Sequence, residues 1–273
     1  MDKYLVFGNP IAQSKSPLIH QMFAEQTQQD ISYSKKQPEE VDFKAEVSAF
    51  IIAGGKGANV TAPFKEQAMQ MCDQLTDRAA SAGAVNTLSF ADGNIYGDNT
   101  DGVGLVNDLK SHNVQLTNKT ILLMGAGGAA RGVILPLLAE YPKQIIIVNR
   151  TTEKAEQLAA RFNDEKICAI SYSETAKTTF DVIINATSAS LSASLPDLNP
   201  ACITTNTVCY DMVYGAELSP FLKWCSQHKS QLVIDGLGML VGQAAESFFI
   251  WRKVKPQQSQ VLAKLRNKLQ GID

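Results

Sequence analysis

This sequence gives little support for a metal centre, a membrane span or a highly charged binding surface. It contains no C-x-x-C pair, and its three histidines, His20, His112 and His228, lie far apart, so a metal site is disfavoured. No apolar run approaches the length of a membrane span. The net charge is −2 and neither sign forms a long block, which argues against nucleic acid or a membrane surface as a partner. Any anion specificity must therefore be local.

The cysteines do not form a disulfide framework, because they are odd in number and scattered: Cys72, Cys168, Cys202, Cys209 and Cys225. We interpret them as buried thiols in a reducing cytoplasm. The first eight residues predict a strand and a polar loop rather than a long apolar signal segment. The sequence thus favours a soluble, cytoplasmic protein.

Length and composition favour two domains. With 273 residues, of which 45% are hydrophobic, the chain exceeds one average domain and can bury a substantial core. No internal repeat, low-complexity tract or Pro-rich linker marks a boundary.

A glycine turn in the middle of the chain is the most specific signal. An apolar run at 119–124 leads into residues 125–130, Gly-Ala-Gly-Gly-Ala-Ala, a Gly-x-Gly-x-x-Ala pattern that opens a helix. Glycines at such a turn let backbone N–H groups and the positive end of the helix face a pyrophosphate. We therefore predict a dinucleotide-binding fold from this turn onward.

The next apolar run ends in residues that favour NADP over NAD. An NAD site usually has Asp or Glu there, which accepts a hydrogen bond from the ribose 2′-hydroxyl. Here Asn149, Arg150 and Thr151 follow the run, with Lys154 one turn further on. A guanidinium binds a 2′-phosphate bidentately, whereas a carboxylate repels it. In the alternative interpretation, Arg150 is a solvated loop cation.

Strands and helices alternate in the first part of the chain, which predicts a mostly parallel sheet. We expect strands at 4–7, 31–34 and 58–61, and helices at 43–52 and 63–75. A further helix should begin at Ser16-Pro17, where Ser16 can cap and Pro17 can occupy the first turn. Asp92-Gly93 predicts a hairpin between 84–90 and 94–96, which would add antiparallel strands at one edge.

In the second part of the chain, predicted strands alternate with helices as in a doubly wound sheet. We expect six strands, at 120–125, 145–149, 167–171, 181–186, 207–211 and 231–235. Helices at 151–162 and 219–228 should separate some of them, and two more at 237–252 and about 257–270 end the chain. These last two could close either domain, and we favour the first. The predicted fold is therefore α/β with two domains: 1–101 plus 237–273 for the substrate, and 102–236, of Rossmann type, for NADP.

Polar segments follow the predicted strands of the first domain, at 14–16, 59–65, 86 and 99–101. Open α/β sheets bind ligands at the carboxyl ends of their strands, so these segments should converge. Their hydroxyl, amide, amine and carboxylate groups suit a small polyhydroxylated ligand. A dehydrogenase site also needs a group that takes the hydroxyl proton, and Lys65 and Asp101 are the close-set titratable candidates.

Each candidate also has an ordinary structural interpretation. Pro63 marks a helix start, and a cation in a first turn opposes the helix dipole, so something other than helix stability should keep Lys65 there. A surface ion pair with Asp101, worth under ~1 kcal/mol, is the equally open alternative. Ser16 or Asp101 could cap a helix, Thr61 could be a strand residue and Asn86 a turn residue.

Nine ordered motifs resemble those of shikimate dehydrogenases over nearly the whole chain. They are GNPIAQSKSP at 8–17, NVTAPFK at 59–65, GAVNT at 83–87, DNTDGVG at 98–104, GAGGAAR at 125–131, NRT at 149–151, NATSA at 185–189, DMVY at 211–214 and DGLGMLVGQ at 235–243. The resemblance implies reversible, NADPH-dependent reduction of 3-dehydroshikimate to shikimate, on the pathway to chorismate and the aromatic amino acids. It also implies a cleft between the domains that opens and closes. We expect a monomer or homodimer.

The resemblance further implies roles for single residues. Lys65 and Asp101 would be the catalytic pair. Ser14 and Ser16 would bind the substrate carboxylate, and the ring and its hydroxyls would be bound by Thr61, Asn86, Tyr214 and Gln243. NADP would be held at its pyrophosphate by Gly125, Ala126, Gly127, Gly128 and Ala129, at its 2′-phosphate by Asn149, Arg150, Thr151 and Lys154, at its nicotinamide end by Met212 and Gly236, and more weakly by Asp77.

Ser190 departs from the resemblance, because relatives usually carry glycine there, and this bears on the shape of the nearby loop. Two rival functions are less favoured. A quinate/shikimate dehydrogenase of broader specificity often uses NAD, which Arg150-Thr151 argues against. A non-catalytic NADP-sensing protein would not need Lys65, Asp101 and the serine pair.

Overall fold

Two six-stranded sheets organise the chain, one in each of two structural units. The computed structural model describes residues 1–187, 195 and 197–272. The first unit comprises Met1–Gly104 with Leu240–Lys264, and the second comprises Leu105–Met239 with Leu265–Asp273. The domain limits expected from the sequence stay a prediction. Two of the divisions between the units lie three residues from these limits, inside α5 and α9. The third lies inside α10 and has no counterpart among the predicted limits.

Five of the six strands in the first sheet run parallel, and β5 alone runs antiparallel to its neighbours. The strand order is β2-β1-β3-β5-β6-β4. The strands are β1 (Asp2–Phe7), β2 (Ile31–Lys36), β3 (Gly55–Val60), β4 (Gln74–Leu75), β5 (Thr87–Ala91) and β6 (Asn94–Asp98). The helices are α1 (Ser16–Thr27), α2 (Phe43–Ile52), α3 (Lys65–Gln70), α4 (Asp77–Ala82) and α5 (Asp101–Ser111). The mostly parallel sheet is confirmed.

The hairpin between β5 and β6 is also confirmed. Asp92 and Gly93 have φ values of 52° and 77°, the positive values that a two-residue hairpin loop favours. The edge of the sheet, however, is formed by β4, which pairs with β6.

The predicted helix at 63–75 is wrong in length. Helix α3 ends at Gln70, and the chain returns to the sheet as β4. Asp73 causes this change of direction, because its backbone N–H donates to the carbonyl of Ile95 at 2.8 Å and its carboxylate accepts from the Ile95 N–H at 2.7 Å. This pairing with a distant strand replaces the continuation of the helix.

Neither Ser16 nor Asp101 caps a helix. Lys15 is the N-cap of α1 and makes no side-chain capping bond, while Ser16 and Pro17 are the first helical residues. The Ser14 hydroxyl accepts from the Ser16 N–H at 3.3 Å. Asp101 is the first residue of α5, and its N–H donates to Asn99 Oδ1 at 3.1 Å.

All six strands of the second sheet run parallel, in the order β12-β11-β10-β7-β8-β9. They are β7 (Thr120–Met124), β8 (Gln144–Val148), β9 (Ile167–Ile170), β10 (Val182–Asn185), β11 (Val208–Asp211) and β12 (Leu232–Asp235). The direction in which successive strands are added reverses between β7 and β10, which is the switch point of a doubly wound sheet. The predicted Rossmann-type fold is confirmed.

The four inner strands of this sheet are buried on both faces, as is typical of parallel sheets, whereas the edge strands β9 and β12 are half-buried. Helices α6 (Gly128–Leu138), α7 (Thr152–Phe162) and α8 (Pro220–Gln227) follow β7, β8 and β11. The chain ends in α9 (Leu237–Arg252) and α10 (Gln258–Gln270), close to the predicted ranges. Over the described ranges, no helix combines the length and apolar character needed to cross a membrane.

The five cysteines are free, but only three of them are buried. Cys202, Cys209 and Cys225 lie in the core of the second unit, whereas Cys72 and Cys168 are half-buried, so the prediction of buried thiols is wrong for these two. Burial nevertheless raises the pKa of Cys72 to about 12. A thiol with so high a pKa is a poor nucleophile at neutral pH.

Candidate active site

Lys65 is the first residue of helix α3, and backbone hydrogen bonds on either side of it hold this helix start against the first sheet. The backbone N–H of Thr61 donates to the carbonyl of Phe7 at 2.9 Å, which fixes the chain just beyond β3. The carbonyl of Lys65 accepts from the Val85 N–H at 2.9 Å. Lys65 is therefore anchored beside the segment that carries Asn86.

The structure brings Lys65, Asn86 and Asp101 together as a hydrogen-bonded trio. Lys65 Nζ lies 2.5 Å from Asp101 Oδ2, and Asn86 Nδ2 donates to Asp101 Oδ1 at 2.8 Å. The side chains of Lys65 and Asp101 are 27% and 11% exposed, and Asn86 is buried. This burial disfavours the interpretation as an ordinary surface ion pair.

Both oxygens of Asp101 act as acceptors in this arrangement. Oδ2 receives the Lys65 ammonium and Oδ1 receives the Asn86 amide. A protonated carboxyl would have to donate from one of its oxygens, so the geometry suits the ionised form. Asp101 can thus orient the lysine and balance its charge.

The remaining predicted substrate residues of the first unit lie at separate points. Ser14 and Ser16 adjoin each other at the start of α1, and Thr61 follows β3. Gln243 is half-buried in α9, where its Nε2 donates to the Leu240 carbonyl at 2.9 Å. No hydrogen bond among the described residues links these four side chains to the trio.

Four further buried polar residues surround the trio: Asn59, Thr87, Thr100 and Ser247. The first three lie in or beside motifs that the sequence analysis singled out. Ser247 carries no signal in the sequence, because it lies in α9 beyond the last of the motifs, which ends at Gln243.

An ion-pair cluster fixes the strand that leads to Asp101. Asp98, at the end of β6, accepts from Arg78 Nε at 2.6 Å and from Arg78 Nη2 at 2.7 Å. Thr76 and the Asn99 N–H donate to the same carboxylate, each at 2.7 Å. These donors outweigh burial and hold the pKa of Asp98 below its ordinary value. Asp77, the weaker predicted cofactor contact, precedes Arg78 and is exposed at the start of α4.

The glycine turn of the second unit leaves room for a ligand. A Cβ on Gly127 would meet no protein atom within 4 Å, and one on Gly128 would meet only the end of the Arg131 side chain at 3.9 Å. Gly127 is the N-cap of α6 and has no side chain to occupy the helix N–H groups. Gly125 has φ of +111°, a conformation for which glycine is required. Open N–H groups at a helix start fit a pyrophosphate.

The predicted 2′-phosphate residues lie at the carboxyl end of β8. Asn149 Nδ2 donates to the Thr151 carbonyl at 2.9 Å, which shapes the turn into α7. Arg150 and Lys154 are exposed, and neither forms an ion pair within the described residues. These cations are thus available to a phosphate, and the donor set fits NADP.

Met212 and Gly236 lie against each other beyond β11 and β12. A Cβ on Gly236 would stand 2.2 Å from the Met212 carbonyl oxygen, so only glycine permits this approach. Tyr214 is half-buried in the second unit, and burial raises its pKa. Ser190, with the motif residues 188 and 189, lies outside the described residues.

Comparison with known proteins identifies the family. Residues 6–88 match the model for the shikimate dehydrogenase substrate binding domain, 108–195 the model for shikimate / quinate 5-dehydrogenase, and 236–266 the model for the shikimate 5′-dehydrogenase C-terminal domain. The chain is 57% identical to the shikimate dehydrogenase (NADP(+)) of Colwellia psychrerythraea strain 34H over 98% of both chains.

Solved structures of similar proteins support the same family assignment. The Ael1 enzyme from Pseudomonas putida has a TM-score of 0.94 and 41% identity, over 97% of this chain and 98% of that one. The shikimate 5-dehydrogenase from Thermus thermophilus, in complex with NADP(H) and shikimate, has a TM-score of 0.89 and 28% identity, over 98% of this chain and 100% of that one. The chain therefore belongs to the shikimate dehydrogenase family.

Proposed function

We propose that this chain catalyses the reversible, NADPH-dependent reduction of 3-dehydroshikimate to shikimate. The observation that carries the proposal is the buried trio of Lys65, Asn86 and Asp101 in a chain of this family. The trio supplies a proton donor held by a carboxylate, and reduction of a ketone requires such a donor at the carbonyl oxygen.

Lys65 and Asp101 are assigned to proton transfer as one unit. In the direction of reduction, the Lys65 ammonium gives a proton to the carbonyl oxygen, and in the direction of oxidation its amine takes the hydroxyl proton. Asp101 orients Lys65 through Oδ2, and Asn86 holds Asp101 through Oδ1. Substrate binding is assigned to Ser14, Ser16, Thr61, Asn86, Tyr214 and Gln243.

NADP fits the open turn and exposed cations of the second unit, and when bound it supplies the hydride acceptor or donor. The pyrophosphate is assigned to residues 125–129 and the 2′-phosphate to Asn149, Arg150, Thr151 and Lys154. Met212 and Gly236 are assigned to the nicotinamide end, with Asp77 as a weaker contact. A cytoplasmic location is also proposed, supported by five cysteines in the free form.

Initial rates on shikimate and quinate, each with NADP and with NAD, test the proposal. We expect turnover of shikimate with NADP to exceed the other three combinations. Comparable rates on quinate would favour the broader specificity that the name of one matching family model includes. Tight NADP binding without turnover of either substrate would overturn the proposal in favour of a sensing protein.

A further inference from the structure

Behind the candidate catalytic pair lies a chain of polar side chains in the first unit, which we name the amide relay: Tyr33, Asn59, Ser247, Thr87 and Asn86. The Tyr33 hydroxyl donates to Asn59 Oδ1 at 2.7 Å. Asn59 Nδ2 donates to Ser247 Oγ at 3.0 Å. The hydroxyls of Ser247 and Thr87 lie 2.8 Å apart, and Thr87 Oγ1 donates to Asn86 Oδ1 at 2.8 Å.

The backbone fixes the orientation of both amides in the relay. Asn59 Nδ2 donates to the backbone carbonyl of Asn86 at 3.1 Å, and a carbonyl can only accept. Asn86 Oδ1 accepts from the backbone N–H of Thr100 at 2.9 Å, and an N–H can only donate. The Asn86 oxygen therefore faces Thr100 and Thr87, and its nitrogen faces Asp101.

The direction of the hydroxyl protons follows from these fixed ends. Thr87 has one proton, which it donates to Asn86 Oδ1, so Thr87 accepts in its contact with Ser247. Ser247 accepts from Asn59 and shares its own proton between Thr87 and the Gln243 carbonyl, 3.0 Å away. Ser247, Thr87, Asn59 and Asn86 are at most 5% exposed. Water therefore cannot readily replace a lost partner.

We propose that Thr87 and Ser247 are positioning residues for the Lys65–Asp101 pair. They hold the Asn86 amide in the orientation that donates to Asp101, and Asp101 in turn holds Lys65. This inference rests on the proposed function, because it assumes that Lys65 and Asp101 transfer the proton. Thr87 and Ser247 do not themselves contact Lys65. Asn86 is the only member of the relay with a hydrogen bond to Asp101 in the described part of the chain.

Thr87→Val removes the hydroxyl and keeps the β-branched shape. Because one buried hydrogen bond to Asn86 is lost, we expect kcat to fall by about fivefold to tenfold, with KM for NADP unchanged within about twofold. The pH profile of kcat should shift, since the donor to Asp101 is no longer held. Thr87→Ser, which keeps the hydroxyl, should restore both the rate and the profile.

Ser247→Ala should lower kcat less than Thr87→Val does, because Ser247 reaches the Asn86 side chain only through other hydroxyls, mainly that of Thr87 at 2.8 Å and more weakly that of Thr100 at 3.3 Å. The double variant should be hardly slower than Thr87→Val alone, since residues that act mainly in series do not multiply their effects. An effect in the double variant equal to the product of the single effects would overturn the relay.

Thr207→Val in the second unit is the matched control. Thr207 is fully buried and its hydroxyl donates to the Phe180 carbonyl at 2.8 Å, so this variant should lower Tm and leave kcat unchanged. Thr87→Val with normal kcat and pH profile, or a defect in kcat that Thr87→Ser fails to restore, would overturn the inference. Lys65→Ala is measured in parallel. If it stays active, the proton-transfer role proposed for the Lys65–Asp101 pair has failed, whereas its inactivity beside a normal Thr87→Val confines the failure to the relay.

Discussion

The candidate sites of the two units are built on opposite principles. In the first unit, the Lys65–Asn86–Asp101 trio is largely buried, and each polar group is held by another side chain. In the second unit, the glycine turn is open and Arg150 and Lys154 are exposed without carboxylate partners among the described residues. Buried groups are held for chemistry, whereas open backbone and exposed cations suit a cofactor that must enter and leave.

This difference has an energetic basis. A buried polar group without its partner costs about 1–3 kcal/mol, so the first site must satisfy all of its members together. An exposed cation has no such requirement, and its contact with a phosphate contributes mainly to binding. We therefore expect variants of the first site to alter kcat, and variants of the second to alter the KM for cofactor.

Lys65→Ala should have the largest effect. A positioned acid–base group typically contributes 10²–10⁴-fold, so kcat should fall by roughly that factor while NADP binding survives. Steady-state kinetics and a fluorescence titration with NADPH measure the two quantities. Near-normal kcat at neutral and alkaline pH would show that the proton donor lies elsewhere.

The double variant of Lys65 and Asp101 sharpens this prediction. Because the two side chains are joined at 2.5 Å, removing both should be hardly worse than removing the more important one. Independent contributions would instead multiply, and that result would separate the two residues into different roles.

Arg150→Ala should have the next largest effect, on the cofactor alone. Losing a charged contact to phosphate costs about 1.5–3 kcal/mol, so the KM for NADP should rise roughly tenfold or more while that for NAD barely changes. Lys143→Ala is the matched control, because Lys143 is an exposed cation just before the opposite end of the same strand. If Arg150→Ala affected both cofactors equally, the 2′-phosphate assignment would be wrong.

The second sheet could be predicted closely from the sequence, and parts of the first could not. Each strand of the second sheet is an apolar run, and its four inner strands are buried on both faces, so a local pattern identifies them. Strand β4 and the short α3 depend instead on the pairing of Asp73 with Ile95, 22 residues away. A local helical pattern cannot reveal such a pairing.

The trio could be anticipated from polar residues near the strand ends of one sheet. Lys65 and Asp101 follow β3 and β6, whereas Asn86 precedes the antiparallel β5 and so lies at the same edge. Ser247 could not, since its role arises from a partner 188 residues away in the sequence, Asn59. The interpretation of Ser16 as a helix cap was wrong, because the N-cap is Lys15, one residue earlier. The Ser14 hydroxyl accepts from the Ser16 N–H.

Burial in the first unit should also make stability depend on pH through His20. Its ring stacks on Tyr33 at 4.1 Å, and burial lowers the pKa of His20 from 6.5 to about 3. Burial holds the pKa of Tyr33 well above its ordinary value, so Tyr33 stays neutral. Between pH 6.5 and 3 the unfolded chain therefore binds a proton that the folded chain does not.

The free energy of unfolding should accordingly fall as the pH drops below 6.5, by about 1.4 kcal/mol per pH unit from His20 alone. His20→Phe removes this titration and should flatten the slope by that amount, which urea unfolding at pH 7, 6 and 5 measures. Equal slopes for the variant and the wild type would contradict the assignment. Arg150→Ala keeps His20 and changes only an exposed residue, so its slope should equal that of the wild type.

Ser14→Ala should have the smallest effect and tests where the first site ends. Ser16 is not an N-cap, so Ser16→Ala removes no helix cap. The half-buried Ser14 accepts from the Ser16 N–H at the start of α1, so the Tm of Ser14→Ala is measured beside its KM. Loss of one hydrogen bond to a substrate carboxylate, worth about 1 kcal/mol or more, should raise the KM for shikimate roughly fivefold. Ser48→Ala, an exposed serine on α2, is the control. If the KM for shikimate is unchanged in both Ser14→Ala and Ser16→Ala, the substrate site is limited to the trio and its nearer neighbours. If kcat falls while KM is unchanged, the two serines are instead positioning residues for Lys65.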